Sequence, residues 1–201
     1  QGIYSKIGWS DVDFFLLDNR YHRSHNYKDP YLPNGDPNPE KRQLGKKQLQ
    51  WLKDRLLASR ATFKVIVIGG QVLNPLSGYE TLQDYPYEVN QLLGFIEKKR
   101  VEGVMFLTGD RHFTELIKIE KDDHYPLYDF TCSPLTSAAP SSLGKEEDNP
   151  YRVDGPKVKK QNFARIGVSG EDDARKLKIE VFDKEGAKIW EHQIKEEKLK
   201  F

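Results

Sequence analysis

The middle of the chain carries the stretch VMFLTGDRHFTEL, which runs from Val104 to Leu116. Its first four residues are apolar and predict a strand that is buried on both faces. The strand ends in GDRH, residues 109–112, which places a carboxylate and an imidazole on one short loop. In open α/β sheets, ligands bind at the carboxyl ends of the strands. Asp110 and His112 are therefore candidate metal ligands, and the alternative is a plain Gly-Asp turn.

Two similar apolar runs precede this strand along the chain. They are VDFFLL, residues 12–17, and FKVIVI, residues 63–68. Leucine and other apolar residues recur at helical spacing over 44–59 and 87–100, so a helix is predicted between each pair of strands. The resulting order β-α-β-α-β predicts an α/β fold with a parallel sheet and right-handed connections. Residues 2–10 are interpreted as a polar lead-in.

The pattern changes after the GDRH loop. Residues 113–120 alternate weakly, and a short strand is predicted at residues 127–132. Residues 163–169, 176–182 and 187–195 alternate at period two, with a DKEG hairpin turn at 183–186. This half is predicted to be an antiparallel meander. The spans 18–43 and 134–162 are predicted long loops within a single partial domain, residues 1–201.

Composition excludes several classes of function. Lysine and arginine (32) nearly balance aspartate and glutamate (31), so no long-range field favours nucleic acid. The basic KVKK at 157–160 is interpreted as a solvated loop. With Cys132 as the one cysteine, an intrachain disulfide and a cysteine-based zinc site are excluded. No apolar run approaches the length of a membrane-spanning helix. We expect no nucleic-acid partner and no membrane span.

All three predicted parallel strands end in polar residues, and parallel strands end at the same edge of a sheet. Arg20 follows the first strand, and Gln71 and Asn74 follow the second. Arg20 and Arg111 could clamp a phosphate group through paired N–H bonds. Gln71 and Asn74 could supply amide oxygens or donors to a ligand. These side chains are candidate binding residues at the shared edge.

Some of these assignments have structural alternatives. Arg20 could form an ion pair with Asp18 or Asp13, and Gln71 could be a loop amide with internal hydrogen bonds. The carboxylate and imidazole of the GDRH loop suit Fe, Zn or Mn, and the carboxylate also suits Ca. A two-metal hydrolase needs further ligands, which this sequence does not supply by itself.

Four segments together resemble a known family. They are DVDFFLLDNRYHR (11–23), LGKKQLQWLKDRLLASRATFKVIVIGGQV (44–72), GVMFLTGDRHFTEL (103–116) and YPLYDFTCSPLTS (125–137). In this order they resemble the PhoD-like alkaline phosphatase/phosphodiesterase family of calcineurin-like metallophosphatases. The resemblance implies a four-layer α/β/β/α sandwich and metal-dependent hydrolysis of phosphate mono- or diesters by a metal-bound hydroxide. It implies two or more metal ions, with Ca and Fe expected first and Zn or Mn as alternatives.

The resemblance also implies roles for individual residues. Asp110 and His112 occupy the family's last metal motif and would be metal ligands. Arg20 resembles a recurrent arginine of the family that faces substrate, and Gln71 stands in the loop where related metallophosphatases often have a ligand histidine, so both are predicted to be catalytic. Side-chain chemistry, and not the resemblance, predicts that Arg20, Arg111 and Asn74 bind the phosphate ester.

The family's earlier metal motifs are not found in this chain, so it resembles the C-terminal half of the metallophosphatase sandwich. The missing N-terminal segment is then an expected partner, and the isolated fragment is expected to be inactive. Family resemblance favours a periplasmic or extracellular location. The alternative function is a non-catalytic module that binds phosphorylated ligands or a partner on a degenerate metallophosphatase scaffold.

Overall fold

Nine strands and two α-helices make up the regular structure of residues 2–155 and 157–201, the part of the chain that this computed structural model describes. The strands are β1 (Ser5–Trp9), β2 (Val12–Leu16), β3 (Phe63–Val67), β4 (Val104–Thr108), β5 (Glu115–Lys121), β6 (His124–Thr131), β7 (Asn162–Ser169), β8 (Lys176–Asp183) and β9 (Lys188–Lys195). The helices are α1 (Lys46–Ala58) and α2 (Pro86–Lys98). The order β2-α1-β3-α2-β4 is the one that the sequence predicts.

Six strands form a mixed sheet in the order β1-β2-β3-β4-β6-β5. The pairs β2–β3, β3–β4 and β4–β6 are parallel, whereas β1–β2 and β5–β6 are antiparallel. Phe15, Ile66 and Phe106 lie in register across the central strands and are fully buried. Burial of each such side chain stabilises the fold by roughly 1.5–3 kcal/mol. The predicted parallel core, and with it the α/β class, is confirmed.

Two strands of this sheet differ from the sequence prediction. The predicted lead-in contains β1, an edge strand that pairs with β2 from Ser5 opposite Leu16 to Trp9 opposite Val12. All five residues of β1 are exposed, so no buried alternation marks the strand. The predicted strand 127–132 begins earlier, as β6. It pairs antiparallel with β5, but it also lies parallel to β4 and so belongs to the first sheet instead of the last three strands. Most of β6 is buried, which suits an interior position between β4 and β5.

The last three strands form a separate antiparallel sheet in the order β7-β8-β9. Between β8 and β9, the N–H of Asp183 donates to the carbonyl of Ala187 at 2.9 Å, and the N–H of Gly186 donates to the carbonyl of Asp183 at 3.0 Å. Gly186 has a φ of 87°, which glycine adopts without steric cost. The predicted meander and its hairpin turn are therefore confirmed for β7–β9.

The two sheets face each other. Phe14 and Val65 of the first sheet and Ile166, Val168 and Leu177 of the second line one cavity of about 430 Å³. A continuous hydrophobic core joins buried residues of both sheets and both helices. The described residues thus share one core, with the polar strand ends at its margin.

Helix α1 buries one apolar stripe, which consists of Leu49, Leu52 and Leu56. The next residue, Leu57, lies outside this stripe and is 53% exposed. The fully buried carboxylate of Glu88 in α2 accepts hydrogen bonds from the backbone N–H groups of residues 43–45 at 2.7–2.8 Å. These donors precede α1 and have no partner within the helix, so Glu88 fixes the entry to α1 against α2.

The predicted loop 18–43 contains no helix or strand, and the described part of 134–162 contains only a 3₁₀ turn (Gly144–Glu146), isolated bridges and the first residue of β7. Pro156 of the second loop, like Gln1 of the predicted domain 1–201, lies outside the described residues. In the basic cluster at 157–160, Lys157 contacts Glu147, and Lys160 lies 3.0 Å from Asp183. None of the helices described by the structure is both long enough and apolar enough for a bilayer crossing.

Candidate active site

The GDRH loop after β4 has an uncommon backbone conformation. Asp110 has a φ of 69° and His112 a φ of 58°, in the left-handed region that residues other than glycine rarely occupy. Both side chains are exposed, and the N–H of Arg111 between them donates to the carbonyl of Gly109 at 2.9 Å. Such conformations cost on the order of 1–3 kcal/mol each and cluster at functional sites. The surrounding structure must therefore hold this loop in place.

Three parallel strand ends meet at the GDRH loop. Leu16 of β2, Val67 of β3 and Leu107 of β4 lie side by side at the ends of their strands. Beyond them, a Cβ atom on Gly69 would lie 3.0 Å from Oδ1 of Asn19. A Cβ atom on Gly109 would lie 3.7 Å from the carbonyl oxygen of Gly69. The loops after β2, β3 and β4 thus contact one another, and a side chain at residue 69 would crowd this approach.

Arg20 reaches the loop after β3 instead of a nearby aspartate. Its Nη1 donates to Oε1 of Glu80 at 2.8 Å, and Arg23 donates to both oxygens of Glu80 at 2.7–2.8 Å. Asp18 accepts the backbone N–H groups of Arg20 and Tyr21 at 2.9 Å, which shapes the turn that carries Arg20. The alternative ion pair of Arg20 with an aspartate is therefore wrong.

Hydrogen bonds in the loops after β2 and β3 shift the pKa values of Asp18, Glu80 and Arg23. The hydrogen bond from the N–H of Tyr21 lowers the pKa of Asp18, although its partial burial acts in the opposite sense. Burial opposes ionisation of Glu80, but the hydrogen bonds from Arg23 and Tyr85 outweigh it and lower the pKa of Glu80. The hydrogen bond to Glu80 raises the pKa of Arg23. Glu80 is therefore an anion that neutralises part of the positive charge of this arginine pair.

Arg111 is held inside the fold. Its Nη2 donates to Glu146, and the two side chains are only 5% and 2% exposed. Its guanidinium carbon lies 4.8 Å from the ring centre of Tyr79 and 5.7 Å from that of Phe113. Among the described residues, its buried Nε has no hydrogen-bond partner. Arg111 also lines a cavity of about 330 Å³ together with Asp110 and neighbouring loop residues.

Gln71 and Asn74 are buried in a closed set of hydrogen bonds. Asn74 Nδ2 donates to Gln71 Oε1 at 2.9 Å and to Glu146 Oε2 at 2.7 Å. Gln71 Nε2 donates to Glu115 Oε1 at 2.8 Å, and Arg152 Nε donates to Glu115 Oε2 at 2.8 Å. Arg152 Nη2 closes the circuit by donating to the carbonyl of Glu146 at 2.6 Å. We call these five residues the polar ring.

A second buried carboxylate, Asp129 of β6, fixes the backbone beside the polar ring. Its Oδ2 accepts the N–H groups of Val72 and Leu73 at 2.7 and 2.9 Å, and its Oδ1 accepts the hydroxyl of Thr108 at 2.7 Å. Complete burial raises the pKa of Asp129 against the effect of these hydrogen bonds. Burial likewise raises the pKa of Glu115 in the polar ring, against the attraction of Arg152. The loop after β3 is thus held by acidic side chains of β5 and β6.

The exposed donors of the GDRH loop fit part of a metal site. A carboxylate and an imidazole are suitable ligands for transition metals, and the carboxylate also suits calcium. Residues 2–155 and 157–201 bring no three His, Cys, Asp or Glu side chains close enough together to hold a metal ion. Two donors are fewer than the four or more that metal sites use. Within the described residues, Asp110 and His112 do not by themselves make up a complete metal site.

Sequence reasoning missed the partners that hold these loops. Glu146 lies in a charged segment that resembles any solvated turn, and Glu115 and Arg152 stand in no recognisable spacing with Gln71. One signal was available for Asp129. This carboxylate interrupts the apolar run LYDFTC, and a buried acid almost always has hydrogen-bonding partners.

Comparison with known proteins adds to this geometry. A family model described as "PhoD-like phosphatase" matches residues 1–176. Over 112 residues the chain is 30% identical to Alkaline phosphatase D of Bacillus subtilis (strain 168), a match that covers 50% of this chain and 19% of that protein. A solved structure described as "Structure of PhoD" superposes with a TM-score of 0.70 at 20% identity, over 96% of this chain and 44% of that chain.

The superposition shows that this mixed α/β fold is shared with PhoD. The family match goes further, and the chain belongs to the PhoD-like phosphatase family. The resemblance inferred from the four sequence segments is thereby confirmed. The chain spans less than half the length of the relatives it matches.

Proposed function

We propose that this chain supplies part of the active site of a metal-dependent phosphoric ester hydrolase. The observation that carries the proposal is the GDRH loop. It holds Asp110 and His112 in left-handed conformations with exposed side chains, where the loops after three parallel strands meet. Family membership supports hydrolysis of phosphate mono- or diesters as the reaction.

In this proposal Asp110 and His112 hold metal ions, with Ca and Fe expected before Zn or Mn. Metal ions in such a site polarise the phosphoryl oxygens and lower the pKa of water. Arg20 and Arg111 steady the phosphate, since guanidinium groups pair with its oxygens. Within the described residues, the Nε of Arg111 has no hydrogen-bond partner. Arg111 lines the same cavity as Asp110 and His112.

A catalytic role for Gln71 and substrate contact by Asn74 stay predictions. Both amides are at most 1% exposed and donate to protein acceptors within the polar ring. Direct contact with a substrate would require the ring to open. The contacts of Gln71 support its structural alternative, a loop amide with internal hydrogen bonds, and those of Asn74 are of the same kind.

The remaining ligands would come from the rest of the protein. We propose that the two facing sheets are the C-terminal part of a four-layer α/β/β/α sandwich, in which an N-terminal segment supplies the missing half. The match to 44% of the PhoD structure and the incomplete set of metal ligands support this arrangement. The isolated chain is then expected to be inactive.

The test uses the intact protein with p-nitrophenyl phosphate and bis(p-nitrophenyl) phosphate, in the presence of Ca, Fe, Zn or Mn. Asp110→Ala and His112→Ala should abolish hydrolysis and lower the metal content. Asp122→Ala is the matched control, because Asp122 is an exposed turn residue after β5. Unchanged rates and metal content in the two loop variants would remove these residues from the site.

The incomplete set of metal ligands also favours a second candidate, a non-catalytic module that binds phosphorylated ligands or a partner. The same experiment separates the two. Failure of the intact wild-type protein to hydrolyse either ester with any of the metals would refute the enzyme and leave the binding module.

A further inference from the structure

We propose that Glu146 is a positioning residue that holds the GDRH loop in its active geometry through Arg111. The proposal rests on the proposed function for the role of Asp110 and His112. It goes beyond that function by assigning a role to an acidic residue of the loop 134–162.

The first step is the position of Arg111 in the chain. It stands between Asp110 and His112, the two residues of the GDRH loop with positive φ. A shift of the Arg111 side chain must therefore be transmitted to both neighbours through only one peptide unit on each side. The side chain is almost completely buried, so protein contacts and not solvent determine its place.

The second step is the set of contacts that surround the guanidinium. Glu146 accepts from Nη2, while the rings of Tyr79 and Phe113 lie 4.8 and 5.7 Å away. A guanidinium that faces aromatic rings gains a cation–π interaction but no directional hydrogen bond. Within the described residues, Glu146 is the only acceptor for the side chain of Arg111. The direction of the side chain thus depends on this one carboxylate.

The third step is the anchoring of Glu146 itself. Its Oε2 accepts from Asn74 at 2.7 Å, and its carbonyl accepts from Arg152 at 2.6 Å. Through the polar ring it is tied to Gln71 after β3 and to Glu115 in β5. A closed ring of buried hydrogen bonds is rigid, because no member can move without leaving a polar group unpaired. Glu146 therefore connects the GDRH loop to a fixed part of the sheet.

The fourth step shows why a carboxylate is needed at this position. The two oxygens of Glu146 accept from two different donors, Oε1 from Arg111 and Oε2 from Asn74. A glutamine of the same shape has one oxygen and one NH₂ group. Whichever way it is turned, its NH₂ faces a donor, and the buried arginine also loses its counter-charge. Glu146→Gln breaks the connection without changing the size of the side chain.

The test compares three variants of the intact protein. Glu146→Gln is the perturbation. Glu147→Gln is the matched control, because Glu147 is the next residue and its carboxylate pairs with Lys157 and Lys159 at the surface. Ile179→Val in β8 is a stability control, because it shortens a fully buried side chain in the other sheet.

Two measurements are made on each variant. Amide hydrogen exchange is followed for peptides covering residues 109–113 in metal-free protein, and kcat and KM are measured with bis(p-nitrophenyl) phosphate. Glu146→Gln should speed exchange in these peptides about tenfold. It should lower kcat by about 10- to 100-fold with a smaller change in KM, because small misplacements of catalytic groups cost rates of this order. Glu147→Gln and Ile179→Val should keep kcat within about twofold of wild type, since neither alters the active geometry.

Two results would overturn the proposal. One is exchange and kcat in Glu146→Gln equal to those of Glu147→Gln. The other is that Ile179→Val, at the same loss of melting temperature as Glu146→Gln, loses as much kcat. The loss of kcat in Glu146→Gln would then follow from lower overall stability and not from the position of the GDRH loop. Absence of hydrolysis in the wild type would instead refute the proposed function, and the exchange data would still show whether Glu146 holds the loop.

Discussion

Replacement of Asp129 tests the inner support of the candidate site. Asp129→Ala removes the acceptor of three buried donors, the N–H groups of Val72 and Leu73 and the hydroxyl of Thr108. The hydroxyl of Thr108 can turn to Oγ1 of Thr131 at 2.9 Å, whereas the two backbone N–H groups lose their acceptor. A buried donor without a partner costs about 1–3 kcal/mol, so the free energy of unfolding should fall by roughly 2–6 kcal/mol. Because whole domains are stable by only about 5–15 kcal/mol, this variant should be severely destabilised.

Asp129→Asn should be far milder, with a loss of about 1–2 kcal/mol. The asparagine oxygen can accept both backbone N–H groups, while its NH₂ donates to the hydroxyl of Thr108, which can turn to accept. The amide also has no charge to bury, whereas burial raises the pKa of the Asp129 carboxyl. Urea unfolding of the intact protein, with wild type and both variants measured side by side, gives these differences.

The pH dependence gives a second, independent check. A carboxyl whose pKa is raised in the folded state stabilises it fully below the unfolded-state pKa, about 4, and loses this contribution as the pH rises through the raised value. Wild type should therefore lose its advantage over Asp129→Asn as the pH rises across that interval. Equal losses for the alanine and asparagine variants, or an advantage that grows with pH, would refute the reasoning.

Two further changes test neighbouring contacts. Glu80→Gln removes the negative charge that Arg20 and Arg23 share, so the affinity of the metal-free intact protein for inorganic phosphate should rise about three- to tenfold in calorimetric titration. The stability change should stay within about 1 kcal/mol, as for other surface ion pairs, and an unchanged or weaker phosphate affinity would contradict the prediction. Thr131→Val removes a hydroxyl that accepts a hydrogen bond from Gln71 at 2.8 Å. The free energy of unfolding, measured by urea titration, should fall by about 1–2 kcal/mol. A loss below about 0.5 kcal/mol would show that this hydrogen bond is dispensable.

The arginine predictions have different outcomes in the fold. Arg20 and Arg23 share the carboxylate of Glu80, which is partly exposed. The side chain of Arg20 is itself 57% exposed. Arg111 is buried and oriented by Glu146. A phosphate group could therefore reach Arg20 by displacing Glu80, whereas Arg111 can take part only where its remaining N–H groups line the cavity beside the GDRH loop.

The sequence by itself determined the central strands and the place of the candidate ligands. Apolar runs without alternation occur where both faces of a strand are buried, and this local property located β2, β3 and β4 correctly. Because parallel strands end at a common edge, the polar residues after them had to meet. The four family segments were equally local, and they were sufficient to identify the PhoD-like family.

Tertiary structure alone decided the contacts that hold the site. The side chain of Glu146 meets Arg111 and Asn74 across 35 and 72 residues of chain, and Gln71 meets Glu115 across 44. No local spacing encodes such pairs, because each polar group accepts whichever partner the packed core brings near. The sequence likewise did not predict β1 or the parallel position of β6. A strand pairs with whichever neighbouring strand has backbone N–H and C=O groups without partners, and this depends on the whole sheet.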